Sequence, residues 1–275
     1  MGMQQISGVA IRLFVALAVA VGLTLPLLDA RPAAAAGTCL DSAIRQITYT
    51  SDGVIHLKGC DQVFTLTDVA SASVVGPGKL ELVDPINKIW YLKVNLLVEE
   101  GATLRIVGGP SGDANWLRLR SDSTGHVWLR TANGNLLLQD TKVTSWNAST
   151  NTYDTDYTTM GRAYIAARSI WTQGRETTPP TPCSVNGGSQ EYYEARLDII
   201  NSELAYLGYS GSEAYGVVWK VYSKTPPPGR QLYEMVDIFG TVTGSWFHHN
   251  YFGAYTYGGY CMTFRDNVFE HNVQY

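Results

Sequence analysis

Ser245-Trp-Phe-His-His-Asn-Tyr251 returns further along the chain as Asn267-Val-Phe-Glu-His-Asn-Val273, so that Phe247, His249 and Asn250 are answered by Phe269, His271 and Asn272, 22 residues apart. A single period that holds an apolar residue, a histidine and an asparagine in phase marks one coil stacking on the next. Alternation within each copy places Phe247 and Phe269 in a core. Asn250 and Asn272 then stand one above the other at a turn, where side-chain amides can satisfy backbone groups of neighbouring coils.

Working outward from this repeat, earlier segments show the same short apolar alternation closed by Asn, Asp or Gly. Ala102–Gly109, Trp116–Arg120, His126–Arg130, Asn135–Gln139 and Arg196–Asn201 each read as a strand of about five residues, and no long amphipathic helix separates them. The expected fold is all-β: a single right-handed parallel β-helix of about 22 residues per coil. A β-sandwich has strands of similar length but predicts no fixed sequence period. Trp146–Thr159, Gln173–Gln190 and Ser223–Gln231 break the rhythm, the last two with proline runs that cannot join a central ladder, and are expected to loop out. Cys39–Gln46 is expected to form a short helix capping the first coil.

Composition agrees with this reading. Charged residues are only 16% of the chain, aromatics are 11%, and 27 glycines supply turns; the formal net charge is -4. These values exclude a disordered chain and a strongly basic nucleic-acid binder. Arg12, the apolar run Leu13–Leu28 and the small residues up to Ala36 follow the order of a secretory signal. Gly22, Pro26 and Asp29 leave that run short of a membrane span. Residues 1–36 are therefore expected to be removed, giving a secreted or periplasmic, monomeric domain over 37–275. In an oxidising compartment Cys39 is expected to pair with Cys60, while pairing of Cys183 with Cys261 stays open. The cysteine and histidine spacings fit no structural metal site.

Three of the five histidines, with Tyr255, Tyr257, Arg265 and Asn272, fall within the last 30 residues. Such a cluster on an extended sheet suits proton removal beside the carboxylate of a uronic acid: cationic or amide groups neutralise the carboxylate, a base takes the proton, and an acid acts from the other face. Return of the proton to the opposite face is epimerisation; expulsion of the linked sugar is lyase cleavage. His249 and His271 are the candidate bases, although their shared repeat position equally fits a stacked ladder. Arg118, Arg120, Arg130 and Lys142 are candidates for a basic strip that grips a polyanion. Asp237, Glu234, Asp266 and Glu270 are the carboxylates available for a hydrolase, a weaker match.

Val143–Trp146, Gly161–Ile165, Asn201–Tyr209, Phe247–Tyr257 and Arg265–Tyr275 resemble the bacterial mannuronan (alginate) C5-epimerases of the periplasmic, right-handed β-helix type. The resemblance runs from about Gly101 to Tyr275 and is most specific in the final 30 residues. It implies binding of an anionic polysaccharide such as alginate and conversion of mannuronate to guluronate within the polymer. It further implies that the Asp-Pro-His-Asp motif holding the base begins beyond Tyr275, so that this chain corresponds to an N-terminal part. By position it assigns Tyr255 and Tyr257 to the groove leading to the site, with Asn272 and Tyr275 just ahead of the motif; Arg162 and Arg265 are further substrate-binding candidates, and Tyr275 is a catalytic candidate beside His249 and His271. No cofactor is called for, and calcium is the one ion the reading leaves room for. A non-catalytic carbohydrate-binding β-helix and a polysaccharide lyase are the alternatives.

Overall fold

Leu104 and Ile106 alternate with Thr103, Arg105 and Val107, as do Leu117 and Leu119 with Trp116, Arg118 and Arg120. Each such strand has one apolar side and gains most by burying it against others of its kind. The computed structural model describes residues 39–175, 190–211, 213–226 and 228–274. In it the strands form three sheets that the chain visits in strict rotation. The first sheet runs through Val54–Lys58, Asn95–Val98, Trp128–Thr131, Tyr164–Ile170, Gly216–Tyr222 and Phe252–Tyr257. The second contains Thr103–Val107, Asn135–Gln139, Ala195–Ile200, Thr241–Thr243 and Thr263–Arg265. The third contains Ile89–Leu92, Trp116–Asp122, Lys142–Trp146, Glu203–Ala205, Trp246–His248 and Val268–Glu270. From Asn95 onward every pairing between successive coils is parallel, which is the topology of a β-helix.

Register makes the core a set of columns. Ile55, Leu96, Leu129, Ile165 and Val217 stack down the first sheet. Leu104, Leu136 and Leu197 stack down the second, and Leu117, Val143, Leu204, Phe247 and Phe269 down the third. All but Phe269 are fully buried; Phe269 stacks on Phe247 at 4.7 Å and keeps 40% of its surface exposed.

The 22-residue period belongs to the last coil. Ser202 and Ser245 hold equivalent places 43 residues apart, and Thr141 and Ser202 hold them 61 apart. Insertions at the corners account for the difference. From Asn135 onward the corner between the second and third sheets is two residues long: Asp140-Thr141, Asn201-Ser202, Gly244-Ser245 and Asp266-Asn267. The first of each pair is left-handed, with φ of 51°, 49°, 62° and 59°, a conformation that Gly, Asn and Asp tolerate best. The other two corners carry the long connections: Trp146 to Tyr164 before the first sheet, and Ile170 to Ala195 and Tyr222 to Ile238 after it. Residues 176–189, including Cys183, lie outside the described residues, as do 1–36 and Tyr275.

The first coil corrects one expectation. Cys39–Gln46 is not helical; Gln46–Tyr49 is a strand that pairs antiparallel with Val54–Lys58. The preceding stretch is held by the Cys39–Cys60 disulfide and by the Leu40 N–H donating to Glu100 Oε1 at 2.8 Å. The helix is Leu66–Ser71, started by Thr65, whose hydroxyl accepts from the Asp68 N–H while the Asp68 carboxylate accepts from the Thr65 N–H. Its Leu66 and Val69 are buried against the first layer of the core.

Candidate functional site

The corner between the third and first sheets is built by buried polar groups. The Leu207 N–H donates to Asn250 Oδ1 at 2.9 Å, and the Asn250 N–H donates to Asn272 Oδ1 at 3.0 Å. Their amide nitrogens donate to the carbonyls of Leu204 and Phe247. Asn272, assigned to the groove by position, is thus a buried rung of an asparagine ladder. Arg162 is 2% exposed and its guanidinium donates to the carbonyls of Gly208 (2.9 Å), His249 (2.9 Å) and Leu207 (3.3 Å). It ties the corner together. Burial lowers its pKa to about 10.

At the same corner Tyr206, His249 and His271 occupy one left-handed position in successive coils, with φ of 59°, 57° and 52°. Their rings form a column that starts on the inserted loop: Tyr153 stacks on Tyr206 at 4.5 Å, Tyr206 on His249 at 4.9 Å, and His249 lies 5.2 Å from His271. His248 Nδ1 and His249 Nδ1 are 2.8 Å apart, so one must donate and the other accept. Burial, together with the nearby His248 and His271, lowers the His249 pKa. On its other side His248 Nε2 reaches Glu203 Oε1 at 3.1 Å, and Glu203 also pairs with Lys142 at 2.6 Å.

Tyr255 and Tyr257 do share one face, the outer side of the first sheet. Tyr255 stands in register with Val218, and Tyr257 with Lys220. Near the loop 207–215 this face carries a small apolar cluster of its own. There Tyr164, Ala166, Ala214 and Val218 are buried beneath Trp128, Tyr209, Tyr215 and Tyr255. Beside the cluster runs a cationic strip. Glu213 pairs with both Arg168 (2.9 Å) and Lys220 (2.5 Å), while the Arg130 guanidinium lies 4.3 Å from the Trp128 ring centre and 4.9 Å from that of Tyr164. The Lys220 ammonium lies over Tyr257 at 5.9 Å. Tyr233, on the insertion after the first sheet, meets the Tyr257 ring at 5.8 Å, and the backbone carbonyl of Met160, on the insertion before it, lies 3.1 Å from His126 Nδ1. Long insertions therefore border both edges of this face.

The expected basic strip divides. Arg130 is on the first sheet, whereas Arg118, Arg120 and Lys142 are on the outer side of the third, where Arg118 lies between Trp116 and Trp146 at 4.0 and 3.8 Å. Arg265 is exposed on the second sheet and contacts Asp266 at 3.3 Å. The carboxylates are also dispersed: Asp237 is buried in the corner after the first sheet, and Glu270 is on the third sheet, accepting from Trp246 Nε1. Trp128, Tyr164, Arg168, Glu213 and Lys220 were not singled out from sequence. The signal was their alternation, Trp128-x-Arg130, Tyr164-x-Ala166-x-Arg168 and Val218-x-Lys220, in the same parity as Tyr255-x-Tyr257. Among the described residues no group of three or more His, Cys, Asp or Glu side chains gathers as a metal site, and no helix is long and apolar enough to cross a membrane.

A three-sheeted parallel β-coil with an aromatic and cationic face bordered by loops is the class of molecule these features define. The chain resembles the mannuronan C5-epimerases. It is 27% identical over 178 residues to a mannuronan C5-epimerase of Pseudomonas putida, a match covering 63% of this chain and 29% of that protein. It also superposes on the solved structure of the periplasmic alginate epimerase AlgG with a TM-score of 0.55, at 19% identity, over 78% of this chain and 41% of that one. A variant of the same enzyme gives a TM-score of 0.53 at 21% identity, over 80% and 41%. The chain thus spans less than half the length of each. No protein-family model matches it.

Proposed function

We propose that this chain is the polymer-gripping part of an exported, alginate-epimerase-like protein, a single right-handed β-helix that lays an anionic uronate polymer across the coils on the outer face of the first sheet. Right-handedness follows from the strong preference of parallel strand connections for that hand. The observation that carries the reading is the composition of this face. Tyr257 stands in register with Lys220, and Arg168 and Arg130 follow on the next two strands of the same face, where Glu213 pairs with Arg168 and Lys220, between two rows of long insertions. A surplus of positive charge on a chain of net charge -4 is local and attracts carboxylates where it is concentrated. In the reaction proposed, such cations offset the charge of a mannuronate carboxylate, making its C5–H acidic enough for a base to remove; return of the proton from the opposite face gives guluronate.

A second reading, binding without turnover, is favoured by the engagement of His249 and His271 in ring stacking at the corner, away from Tyr255. Proton NMR of polymannuronate incubated with the protein separates the cases. Guluronate signals establish epimerisation, an unsaturated, ultraviolet-absorbing product marks a lyase, and unchanged polymer that retards the protein in affinity electrophoresis marks a binder. Absence of any retardation by polymannuronate sinks the reading altogether. Export is checked by sequencing the mature N-terminus, expected at Gly37.

A further inference from the structure

Among the described residues, Arg130 is the one guanidinium on the first sheet's outer face without an acceptor. Its Nε is buried and unpartnered, and among the described residues it makes no hydrogen bond or ion pair. The nearby carboxylate, Glu213, is already shared between Arg168 and Lys220. Burial and the like charge of Arg168 lower the Arg130 pKa to about 10, which still leaves it charged at neutral pH. Trp128 and Tyr164 lie within stacking distance of the guanidinium at 4.3 and 4.9 Å. A guanidinium held by its face keeps its in-plane N–H donors available, and their fork matches a carboxylate bidentately. Ala166, next in register, adds no side chain long enough to compete for that edge.

We infer that Arg130, positioned by Trp128 and Tyr164, is a carboxylate-binding subsite for a uronate residue of the polymer, distinct from the position at Tyr255. Three inter-strand steps separate Trp128–Thr131 from Phe252–Tyr257 in the sheet, about 14 Å at the usual spacing. The subsite therefore takes a sugar several coils away from Tyr255 on the same chain. It selects for charge: a neutral polysaccharide of the same backbone leaves the Arg130 donors unpaired. The inference rests on the polyuronate reading above.

The test compares the wild-type protein with Arg130→Ala and Arg130→Lys. Affinity is measured by calorimetry for polymannuronate and for the same polymer with its carboxyls reduced to alcohols, and thermal midpoints are recorded alongside. Arg130→Ala is expected to weaken polymannuronate binding about tenfold, to flatten its salt dependence and to leave the reduced polymer unaffected, while Arg130→Lys restores only part of the loss. If wild type and Arg130→Ala bind polymannuronate equally, the inference is overturned and the proposed function stands. If the loss extends equally to the reduced polymer, or tracks a drop in thermal midpoint in both variants, Arg130 is a packing residue and the inference is likewise overturned. If wild-type protein binds no polymannuronate, both fail.

Discussion

Arg162, at the corner between the third and first sheets, and Arg130, on the outer face of the first, are both drawn down to a pKa of about 10 by burial. Around Arg162 three backbone carbonyls use the guanidinium; around Arg130 lie two aromatic faces, another cation and a carboxylate, Glu213, that is paired elsewhere. The corner is a place where polar chemistry has been closed, and the face is one where it has been left open. Residue type says little about which is which. Spare hydrogen-bonding capacity is what distinguishes a structural arginine from a binding one.

This contrast can be broken by experiment, and the largest effect belongs to the corner. Arg162→Ala leaves the carbonyls of Leu207, Gly208 and His249 without that donor in the interior and is expected to cost about 3–5 kcal/mol in urea unfolding. A loss below about 1 kcal/mol would remove the structural half of the comparison. Asn250→Ala strands the Leu207 N–H and the Leu204 carbonyl and is expected to cost about 2–3 kcal/mol in the same assay.

Asp237 sharpens the comparison from the opposite side, as a buried acid with no cation beside it among the described residues. Burial raises its pKa to about 6, above the ordinary 3.8. The folded state therefore carries an unfavourable charge above pH 6, and that penalty disappears as pH falls through 6 toward 4. Asp237→Asn is expected to stabilise the protein by about 1–2 kcal/mol at pH 7, measured by thermal unfolding, with the difference vanishing near pH 4. A difference that instead grows as pH falls would show that Asp237 has a cationic partner. The smallest effect is expected for Arg130→Ala, which should move the unfolding free energy by no more than about 0.5 kcal/mol. A destabilisation as large as that of Arg162→Ala would abolish the distinction between the two regions.

The fold was legible where nothing interrupts it. In the last coil Phe247 and Phe269, and Asn250 and Asn272, lie at the bare period, so the coil and its ladder could be read directly. Upstream, the same columns join residues such as Val143 and Leu204 across long insertions, and no fixed period survives in the sequence. The helix at Leu66–Ser71 carries a capping box in Thr65-Leu-Thr-Asp68, whereas Cys39–Gln46, expected to be the helix, has none and runs into a strand. For the site, parity correctly placed Tyr255 with Tyr257. It says nothing of Arg162 and Asn272, which lie at corners outside the strands and donate to backbone carbonyls there. Nor could it separate Arg118 from Arg130, which are 12 residues apart in sequence and on different sheets in the fold.

The three corners of the coil also differ in what length they admit. From Asn135 onward the turn into the third sheet has two residues, one of them left-handed, and its Ser202, Ser245 and Asn267 side chains bond backbone of the adjoining coil. An extra residue there would shift every inward side chain that follows. The turns on either side of the first sheet already vary from a few residues to more than a dozen without disturbing the columns. Insertions and deletions that survive over evolutionary time in a molecule of this design are therefore channelled to the rims of one face, which can be reshaped while the core keeps its register.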